Sequence, residues 1–325
     1  MIQPKVALIV LSWNNADILP ACFDSIQALD YPHIKTVLVD NASTDNSVEM
    51  TRNKYPWVEI VESPRNGGFT EGNNIGIRHA LKDEDIQYIG LINSDATLDT
   101  AWLSTIVRFA CNKPKGAFYQ GMTLDYYNHS VIDSTHIYVA ENGQATQGSW
   151  RDAYVGERGP LRVFGVNAAA CLIARDFIES QPFDNLFDES FFMYLEDVDM
   201  ALRACLLGWD SYCVPGATAY HMGSASSAEN PTFSLRMTYR NNLPLLFKNL
   251  PIKMFLQIIP RAFKSDILTT RLLLRRGQAK GARALWKGRM IGLLRVLLYL
   301  SAHNTMQRNS VVDRDYLQKL MCKGY

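Results

Sequence analysis

The run YIGLINSDAT at residues 88–97 constrains the fold more than any other part of the sequence. Its first five residues are largely apolar and include β-branched side chains, which is typical of a central strand buried on both faces of a parallel sheet. A polar turn, residues 93–95, follows at once. Because open α/β sheets bind ligands at the carboxyl ends of their strands, we expect Asp95 to take part in a ligand site.

Strands and helices alternate through the first hundred residues. The apolar runs predict strands at residues 6–11, 34–39, 58–61 and 88–92, and the stretches between them predict helices at 16–29, 46–54 and 71–81. Strict alternation gives a parallel sheet with right-handed crossovers. The predicted fold class is therefore α/β, a mostly parallel sheet with helices on both faces.

Three of these strands end in polar turns, at residues 12–14, 40–43 and 93–95. In a parallel sheet these turns share one edge and converge, so we predict a ligand site there. Asp40 precedes the expected cap of the next helix by several residues. Its carboxylate is therefore free to accept a hydrogen bond from the N3–H of a pyrimidine base, although a plain helix-capping turn is the alternative.

A glycine loop, PRNGGF at residues 64–69, precedes the predicted helix 71–81. Gly67 and Gly68 either let backbone N–H groups approach a phosphate or make a tight turn into the helix, and the sequence leaves both readings open. The loop is not a P-loop, and no GxGxxG fingerprint occurs where a dinucleotide-binding fold requires it.

A second group of acidic residues lies between residues 189 and 199, after the apolar run VFGVNAAACLIA. Glu196 and Asp197 begin a predicted helix and follow the apolar segment FFMYL. Such an apolar wall favours a carboxylate with a raised pKa, as a general base at neutral pH requires; helix N-capping is the alternative. Asp199 and Arg203 are four residues apart, and we expect them to pair on one helix face.

His221 ends a short predicted strand at residues 217–221, just before a loop of small residues at 222–227, and residues 208–215 predict a helix stop, a turn and an edge strand. The position of His221 fits contact with a metal or a diphosphate as well as it fits a structural role. The polar and aromatic segment 125–160, which includes Asp133, either faces an acceptor or is a variable insertion.

The net charge of +1 conceals an uneven distribution. Residues 236–325 carry 18 lysines and arginines against 3 acidic residues, whereas residues 1–235 carry 15 against 29. We therefore predict an acidic catalytic body at 1–235, with a nucleotide-binding half at about 1–100 and an acceptor half at about 101–235. A basic helical tail occupies 236–325.

The tail contains two short apolar helices, 252–259 and 267–274, with a predicted break at Pro260. Two stripes at helical spacing follow, one basic and one apolar: Arg276, Lys280, Arg283 and Lys287, and Trp286, Met290, Leu293 and Leu297. Such an amphipathic, basic helix suits an anionic membrane surface. Packing on the acidic body is the alternative. No recognition motif accompanies the charge, so we expect no nucleic-acid partner.

Other features of the sequence indicate where in the cell the protein is located. The segment MIQPKVALIV resembles a first strand more than a signal peptide, and no stretch of about 18 apolar residues occurs. We expect a cytoplasmic protein, peripheral on the inner face of the plasma membrane; the oligomeric state is left open, a homo-oligomer included. The cysteines lack metal-ligand spacing and are expected to be mostly buried thiols. They are Cys22, Cys111, Cys171, Cys205, Cys213 and Cys322.

Four motifs occur in order: VDNASTDNS, PRNGGFTEGNNIG, LINSDA, and DESFFMYLEDVDMALR followed by GW and VPGATAYH. Over about residues 5–225 they resemble glycosyltransferase family 2, in the branch that includes bacterial rhamnosyltransferases. The resemblance implies a GT-A fold and an inverting transfer of rhamnose or another hexose from a dTDP- or UDP-sugar, with Mg²⁺ or Mn²⁺. The implied acceptor is a lipid-linked or oligosaccharide glycan in cell-surface polysaccharide synthesis. The QxxRW element of processive synthases is absent, which favours addition of a single sugar.

The resemblance also implies residue roles. Asp197, with Glu196 beside it, matches the catalytic base pair, Asp95 matches the last acid of the metal motif, and His221 matches a histidine near the metal or diphosphate. Because the metal motif has one carboxylate, tight metal binding would depend on the diphosphate oxygens. The implied nucleotide-sugar contacts, including the base-binding aspartate Asp40, are Ser12, Asn14, Asp40, Asn41, Asn66, Gly67, Gly68, Asn74 and Asn93.

Two alternatives involve no glycosyl transfer. A nucleotidyltransferase that makes sugar nucleotides would carry a basic glycine-rich signature near its first strand, and residues 8–15 lack one. A protein that only binds sugar nucleotides is the other alternative.

Overall fold

The computed structural model describes residues 3–156, 159–223, 231–313, 315–317 and 319. The strands are β1 Lys5–Ser12, β2 Ile34–Asp40, β3 Glu59–Glu62, β4 Ile86–Asn93, β5 Ala96–Leu98, β6 Gly116–Asp125, β7 Ile132–Ser134, β8 His136–Val139, β9 Ala145–Gly148, β10 Leu161–Val163, β11 Ala170–Ala174 and β12 Asp210–His221. The helices are α1 Leu19–Gln27, α2 Ser47–Lys54, α3 Gly68–Ala80, α4 Trp102–Ala110, α5 Arg175–Ser180, α6 Glu196–Leu206, α7 Pro231–Asn249, α8 Ile252–Arg275, α9 Ala279–Arg295 and α10 Leu300–Asn309. Short 3₁₀ turns occur at Glu189–Phe191 and Val296–Tyr299.

The described strands form one large mixed sheet and a separate β8–β9 hairpin. The order across the large sheet is β10-β12-β6-β11-β4-β1-β2-β3, with β5 paired to β12 and β7 to β6. Strands β1 to β4 are parallel where they pair, as the alternation predicts. The register sets Ser12 beside Asp40 and Leu11 beside Asn93, so the ends of β1, β2 and β4 lie at one edge.

Strand β1 illustrates why these segments are almost entirely apolar. Val6, Leu8 and Val10 belong to the core that includes α1 and α4 residues, whereas Ala7 and Ile9 belong to the core on the other face, with α3, α5 and α6. A strand covered by helices on both faces needs apolar side chains at every position, because neither face meets water.

The second half of the sheet differs from the prediction. Strand β11 runs antiparallel between β4 and β6, and β12 is parallel to β6. The prediction of an edge strand at 208–215 and a separate strand at 217–221 was wrong: β12 is one strand of 12 residues, and β10 covers its outer side. A register shift between Val214 and Thr218 absorbs Pro215 and lets the strand continue.

Helix α7 spans the predicted boundary between residues 235 and 236. Leu243, Leu246 and Phe247 of α7 share a hydrophobic core with Val198 and Leu202 of α6. Packing on the acidic body, one of the two alternatives for the tail, therefore describes α7. The domain boundary stays a prediction, and it falls inside a helix that completes the core.

The predicted helix break at Pro260 was wrong. Helix α8 runs without interruption from Ile252 to Arg275, with Pro260 inside it. Phe255, Ile258 and Ala262, on both sides of the proline, are buried in the same core. Their burial compensates for the backbone hydrogen bond that the proline removes. No helix within the described residues is both long and apolar enough to cross a bilayer.

Of the cysteines, five lie in the described part of the chain, all as free thiols. Four of these are buried, as expected, whereas Cys111 is exposed at the end of α4. Cys322 lies outside the described residues.

A buried polar cluster joins α6 to α7. Asp199 accepts hydrogen bonds from Arg203 Nε at 3.0 Å, Lys248 Nζ at 2.9 Å and Asn249 Nδ2 at 2.7 Å. The charged side chains are at most 3% exposed. The predicted Asp199–Arg203 pair is confirmed, and the structure adds the two partners from α7.

We expect Asp199→Asn to lower the free energy of unfolding by about 3 kcal/mol or more, because two buried cations lose a shared counter-charge. Urea denaturation followed by circular dichroism measures the change. Asp152→Asn, at an exposed position, is the control and should stay within about 0.5 kcal/mol of the wild type. Equal unfolding midpoints for Asp199→Asn and the wild type would contradict this assignment.

Candidate functional site

The three polar turns predicted to converge do contact each other. The backbone N–H of Asn14 donates to Ser43 Oγ at 2.9 Å, and Asn14 Oδ1 accepts from the backbone N–H of Thr44 at 2.7 Å. Asn15 Nδ2 donates to Ser94 Oγ at 2.8 Å. The turns after β1, β2 and β4 therefore form one continuous polar edge, which we call the donor edge.

Asp40 lies on the donor edge with half of its carboxylate unused. The residue is 4% exposed, and its Oδ2 accepts from the backbone N–H of Ser43 at 3.0 Å. Its Oδ1 is buried without a partner, and so is the hydroxyl of Ser12 on the neighbouring strand. Unpaired buried oxygens are costly, and a donor group of a bound molecule would satisfy them.

The glycine loop is held by side-chain amides. Asn41 Oδ1 accepts from the N–H of Gly67 at 3.0 Å, and Asn66 Oδ1 accepts from the N–H of Gly68 at 2.9 Å. Gly68 has φ +72°, and a Cβ there would lie 2.3 Å from the carbonyl oxygen of Phe192. Of the two readings of this loop, the structure favours the tight turn, because both N–H groups already have partners.

Asn74 has a similar structural role. Its Nδ2 donates to Phe187 O at 2.9 Å and to Glu189 Oε1 at 3.1 Å, and its Oδ1 accepts from the N–H of Phe187 at 3.0 Å. Since both ends of the amide already have partners, Asn74 holds the segment at Phe187 and Glu189 and is not among the proposed nucleotide-sugar contacts. Asn93 ends β4, where its backbone N–H donates to Ala169 O at 2.8 Å.

Asp95 and His221, the predicted metal ligands, lie side by side. Asp95 Oδ1 is 3.3 Å from His221 Nε2, and Asp133 Oδ2 is 3.0 Å from His221 Nδ1. Burial lowers the pKa of His221, but the hydrogen bonds to Asp133 and Asp95 outweigh it and raise the pKa to about 10. Residues 224–227 of the adjoining loop lie outside the described residues.

Two protein side chains alone make an incomplete metal site. In the described part of the chain, no three His, Cys, Asp or Glu side chains are grouped so that they could hold a metal ion. Asp95 and the Nε2 of His221 provide one hard and one borderline ligand, and the remaining positions would fall to ligand oxygens and water. Weak metal binding by a motif with a single carboxylate stays a prediction.

Asp133 is a residue whose contact the sequence does not predict. It lies on β7, within the segment 125–160 that has no clear periodicity, and 88 positions before His221. Acceptance of a hydrogen bond from Nδ1 would fix the histidine tautomer and leave Nε2 free for a ligand. Only the polarity of this segment pointed to a role.

The acidic pair follows a strained turn. Phe192, Tyr194 and Leu195 have positive φ values of 66°, 71° and 70°, and α6 then begins at Glu196. Such conformations are costly for non-glycine residues and persist only where their surroundings fix them. The turn therefore sets the position of Glu196 and of Asp197 after it.

Both carboxyl groups of the pair are poorly solvated. Asp197 Oδ1 accepts from the N–H of Val198 at 2.8 Å, and Glu196 Oε2 is buried without a partner. Burial raises the pKa of Asp197 well above its usual range; burial and the charge of Asp197 raise that of Glu196 further. No side chain caps α6, because its N-cap is Leu195. A poised base thus fits these contacts better than helix capping does.

Asn241 of α7 fixes the strained turn. Its fully buried Nδ2 lies 3.0, 3.0 and 2.9 Å from the carbonyl oxygens of Phe191, Met193 and Tyr194. The sequence does not predict this role. The one signal is an Asn-Asn pair directly before the apolar run LPLLF.

The glycine loop and α3 connect the turn to the donor edge, where Asn41 Nδ2 donates to Gly68 O at 3.0 Å. The N–H of Thr70, in the first turn of α3, donates to Phe192 O at 3.1 Å. Burial and, after it, the charge of Asp197 raise the pKa of Cys171, which pairs in register with Leu91 of β4. Helix α6, which begins with the acidic pair, packs on the β4–β11 side of the sheet, because Met200 shares a hydrophobic core with Leu91 and Cys171.

Two family models and a relative of known activity match this chain. The family model for glycosyl transferase family 2 matches residues 7–154, and that for glycosyl transferase family group 2 matches residues 88–256. The N-acetylglucosaminyl-diphospho-decaprenol L-rhamnosyltransferase of Mycobacterium tuberculosis is 26% identical over 234 residues, which cover 64% of this chain and 73% of that protein.

Two solved structures share the fold. A mannosyltransferase from Pyrobaculum calidifontis, in complex with GDP-Man and Mn²⁺, has a TM-score of 0.56 at 17% identity over 99% of this chain and 84% of its own. GalNAc-T7 with UDP, GalNAc and Mn²⁺ has a TM-score of 0.58 at 14% identity over 75% of this chain and 48% of its own. The expected GT-A architecture, a mostly parallel sheet between helices, is confirmed.

The raised pKa of Asp197 predicts a cost in stability. Its protonated form favours the folded state at low pH, and this contribution is lost as the pH rises through the raised pKa. We therefore expect Asp197→Asn to increase the free energy of unfolding by roughly 1–2 kcal/mol at pH 8, and the gain to shrink as the pH falls. Denaturant titrations at several pH values test this, with Asp152→Asn, at an exposed position, as the control. A variant less stable than the wild type at pH 8 would refute the expectation.

Proposed function

The chain belongs to glycosyltransferase family 2, and from this premise we propose that it transfers a single sugar from a nucleotide-sugar to an acceptor hydroxyl, with inversion at the anomeric carbon. The family predicted from the four motifs is confirmed. The proposal depends most on one observation, the poorly solvated pair Glu196 and Asp197 at the start of α6.

The donor we propose is a dTDP- or UDP-linked hexose, with rhamnose favoured. Support comes from Asp40, whose unpartnered Oδ1 could accept the N3–H of a uracil or thymine base. The hydroxyl of Ser12 and the turn at Asn14 complete the proposed donor contacts. The M. tuberculosis relative is named as an L-rhamnosyltransferase, and this supports the sugar.

Asp95 and His221 are the residues that we propose to hold Mg²⁺ or Mn²⁺, together with diphosphate oxygens of the donor. Both solved structures described above contain Mn²⁺. When bound, the ion would neutralise charge on the departing diphosphate. His221 must give up a proton before Nε2 can bind a metal, so metal affinity should increase with pH. Asp133 would hold the other ring nitrogen in place.

Asp197 is the proposed general base. A carboxylate whose pKa is raised toward neutrality can accept a proton from the acceptor hydroxyl as its oxygen attacks the anomeric carbon. We propose that Glu196 stays protonated when Asp197 is ionised, because the buried pair would otherwise hold two adjacent negative charges. Attack on the face opposite the leaving diphosphate gives inversion.

We expect Asp197→Asn to reduce transfer by at least about a hundredfold, because the amide cannot take the proton. Donor binding should be unchanged, since the donor edge lies on other residues. Release of nucleotide diphosphate measures transfer, and titration with the nucleotide measures binding. Asp152→Asn is the control. Full activity of Asp197→Asn would contradict the assignment of Asp197 as the base. If the wild type binds nucleotide-sugars but does not turn them over, either with Mn²⁺ or with EDTA, the protein only binds nucleotide-sugars.

For the acceptor we propose a lipid-linked glycan, reached from the inner face of an anionic membrane. The M. tuberculosis relative is named for a diphospho-decaprenol acceptor. In this chain, α8, α9 and the following 3₁₀ turn carry exposed large apolar side chains, which we call the apolar face: Leu256, Ile267, Leu268, Leu272, Leu274, Met290, Leu293, Leu294, Leu297 and Leu298.

Basic side chains accompany the apolar face. The exposed ones on or directly after α8 and α9 are Lys253, Arg261, Lys264, Arg271, Arg275, Arg276, Lys280, Arg283 and Lys287. Arg276 follows α8 and is not part of α9, and Leu297 lies in the 3₁₀ turn, so the two predicted stripes are shorter than expected. Exposed leucines next to lysines and arginines favour peripheral binding to anionic lipid.

We expect the double substitution Leu297→Ser and Leu298→Ser to weaken binding to anionic liposomes by at least about tenfold, because each side chain loses apolar area that lipid would cover. Flotation of the full-length protein measures this. Val155→Ser, at an exposed position on the body, is the matched control. A truncation at residue 235 would be unsuitable, because it removes most of α7. Equal flotation of all three proteins would rule out the apolar face as the membrane contact.

A further inference from the structure

Two arginines meet at one carbonyl of the strained turn that leads to the acidic pair, and a third arginine lies close enough for its charge to act on one of them. Arg240 Nη2 donates to Ser190 O at 3.0 Å, and Arg295 Nη2 donates to the same oxygen at 2.9 Å. Arg236 lies one helical turn before Arg240 and shares its face of α7. We call Arg236, Arg240 and Arg295 the arginine cluster.

Two glycines of α9 bring the cluster together. A Cβ at Gly288 would lie 2.2 Å from Arg236 O, and a Cβ at Gly292 would lie 2.7 Å from Arg240 O. Glycines four residues apart occupy one helix face, so α9 packs directly on the backbone of α7. Arg295, three residues after Gly292, is thereby carried to the same carbonyl as Arg240.

The cluster has excess positive charge. Within the residues that the structure describes, no carboxylate forms an ion pair with any of its three members. Burial, then the charges of Arg295 and Arg236, lower the pKa of Arg240. Nη1 of Arg295 is buried without a hydrogen-bond partner. Grouped guanidinium donors of this kind match an anion with several oxygens, such as a diphosphate.

Its surroundings differ on the two sides. Next to Arg295 in sequence are Leu294, Leu297 and Leu298, which are 76%, 77% and 77% exposed. On the other side, the carbonyls of Ser190 and Phe191 contact the cluster and begin the turn to Glu196 and Asp197. An amphiphile with an anionic head could therefore place its lipid on the leucines and its attached sugar toward the acidic pair.

We propose that the arginine cluster binds the diphosphate of a polyprenyl diphosphate-linked acceptor, with the lipid over Leu294, Leu297 and Leu298. The inference rests on the proposed function and deepens it, because it names the anionic group by which the acceptor is held. The donor diphosphate is proposed to bind at different residues, Asp95 and His221.

Farnesyl diphosphate is the probe, titrated into the full-length protein by calorimetry. EDTA is present throughout, so that the diphosphate cannot bind through a metal at Asp95. We expect farnesyl diphosphate to bind at least about tenfold more tightly than farnesol or inorganic pyrophosphate, since it alone offers both the charge and the apolar tail. Phosphatidylglycerol at the same concentration tests whether any anionic lipid competes equally.

Arg236→Gln is the main variant, because Arg236 makes no hydrogen bond to the turn in the described contacts and its loss should leave the fold intact. Arg295→Gln is the second variant, and Arg308→Gln, at an exposed position on α10 outside both the cluster and the apolar face, is the control. We expect farnesyl diphosphate to bind each cluster variant at least about tenfold more weakly and the control within about twofold. Nucleotide binding and the melting temperature check folding.

Equal weakening by Arg308→Gln, equal competition by phosphatidylglycerol, or equal affinity for pyrophosphate and farnesyl diphosphate would each overturn the proposal. The binding measurement is independent of turnover. If the wild type binds farnesyl diphosphate as expected but transfers no sugar, only the proposed function is refuted. If the wild type transfers sugar and the cluster variants have the same KM for the acceptor as the wild type, only this inference is refuted.

Discussion

One buried carboxamide, that of Asn241, ties the acidic pair to the C-terminal helices. It donates hydrogen bonds to the carbonyls of Phe191, Met193 and Tyr194. These bonds hold the turn in which Phe192, Tyr194 and Leu195 have positive φ values, which are costly for non-glycine residues. Helix α6 begins where this turn ends. The position of the acidic pair therefore depends on α7, and α7 acts as part of the catalytic body although the charge distribution separates it.

Buried charges in this protein fall into two groups. Asp266 and Arg289 satisfy each other through two hydrogen bonds of 2.7 and 3.0 Å, and Asp199 has three partners. By contrast, Asp40 Oδ1, Glu196 Oε2 and Arg295 Nη1 are buried without partners. Satisfied groups stabilise the fold, whereas unsatisfied ones reduce stability unless a ligand pairs with them. The members of the second group lie in the proposed nucleobase site, in the acidic pair and in the proposed site for the acceptor diphosphate.

The sequence predicts what depends on local pattern. The sequence predicts strands β1 to β4 because burial on both faces leaves continuous apolar runs. It predicts the Asp199–Arg203 ion pair because the two residues are one helical turn apart. The sequence does not predict contacts between segments that are far apart along the chain. Lys248 joins Asp199 from 49 positions away, and Asp133 joins His221 from 88. The predicted helix break at Pro260 was wrong for the opposite reason. Burial of the surrounding side chains in the core outweighs the local tendency of proline to end a helix.

The most direct measurement of the mechanism is the pH dependence of kcat/KM for sugar transfer. A base within the desolvated pair must lose its proton before the acceptor attacks. The rate should therefore fall as the pH decreases through an apparent pKa well above that of a solvated aspartate, about 3.9. A rate that stays constant down to about pH 4.5 would contradict a base with a raised pKa and would remove Asp197 from that role.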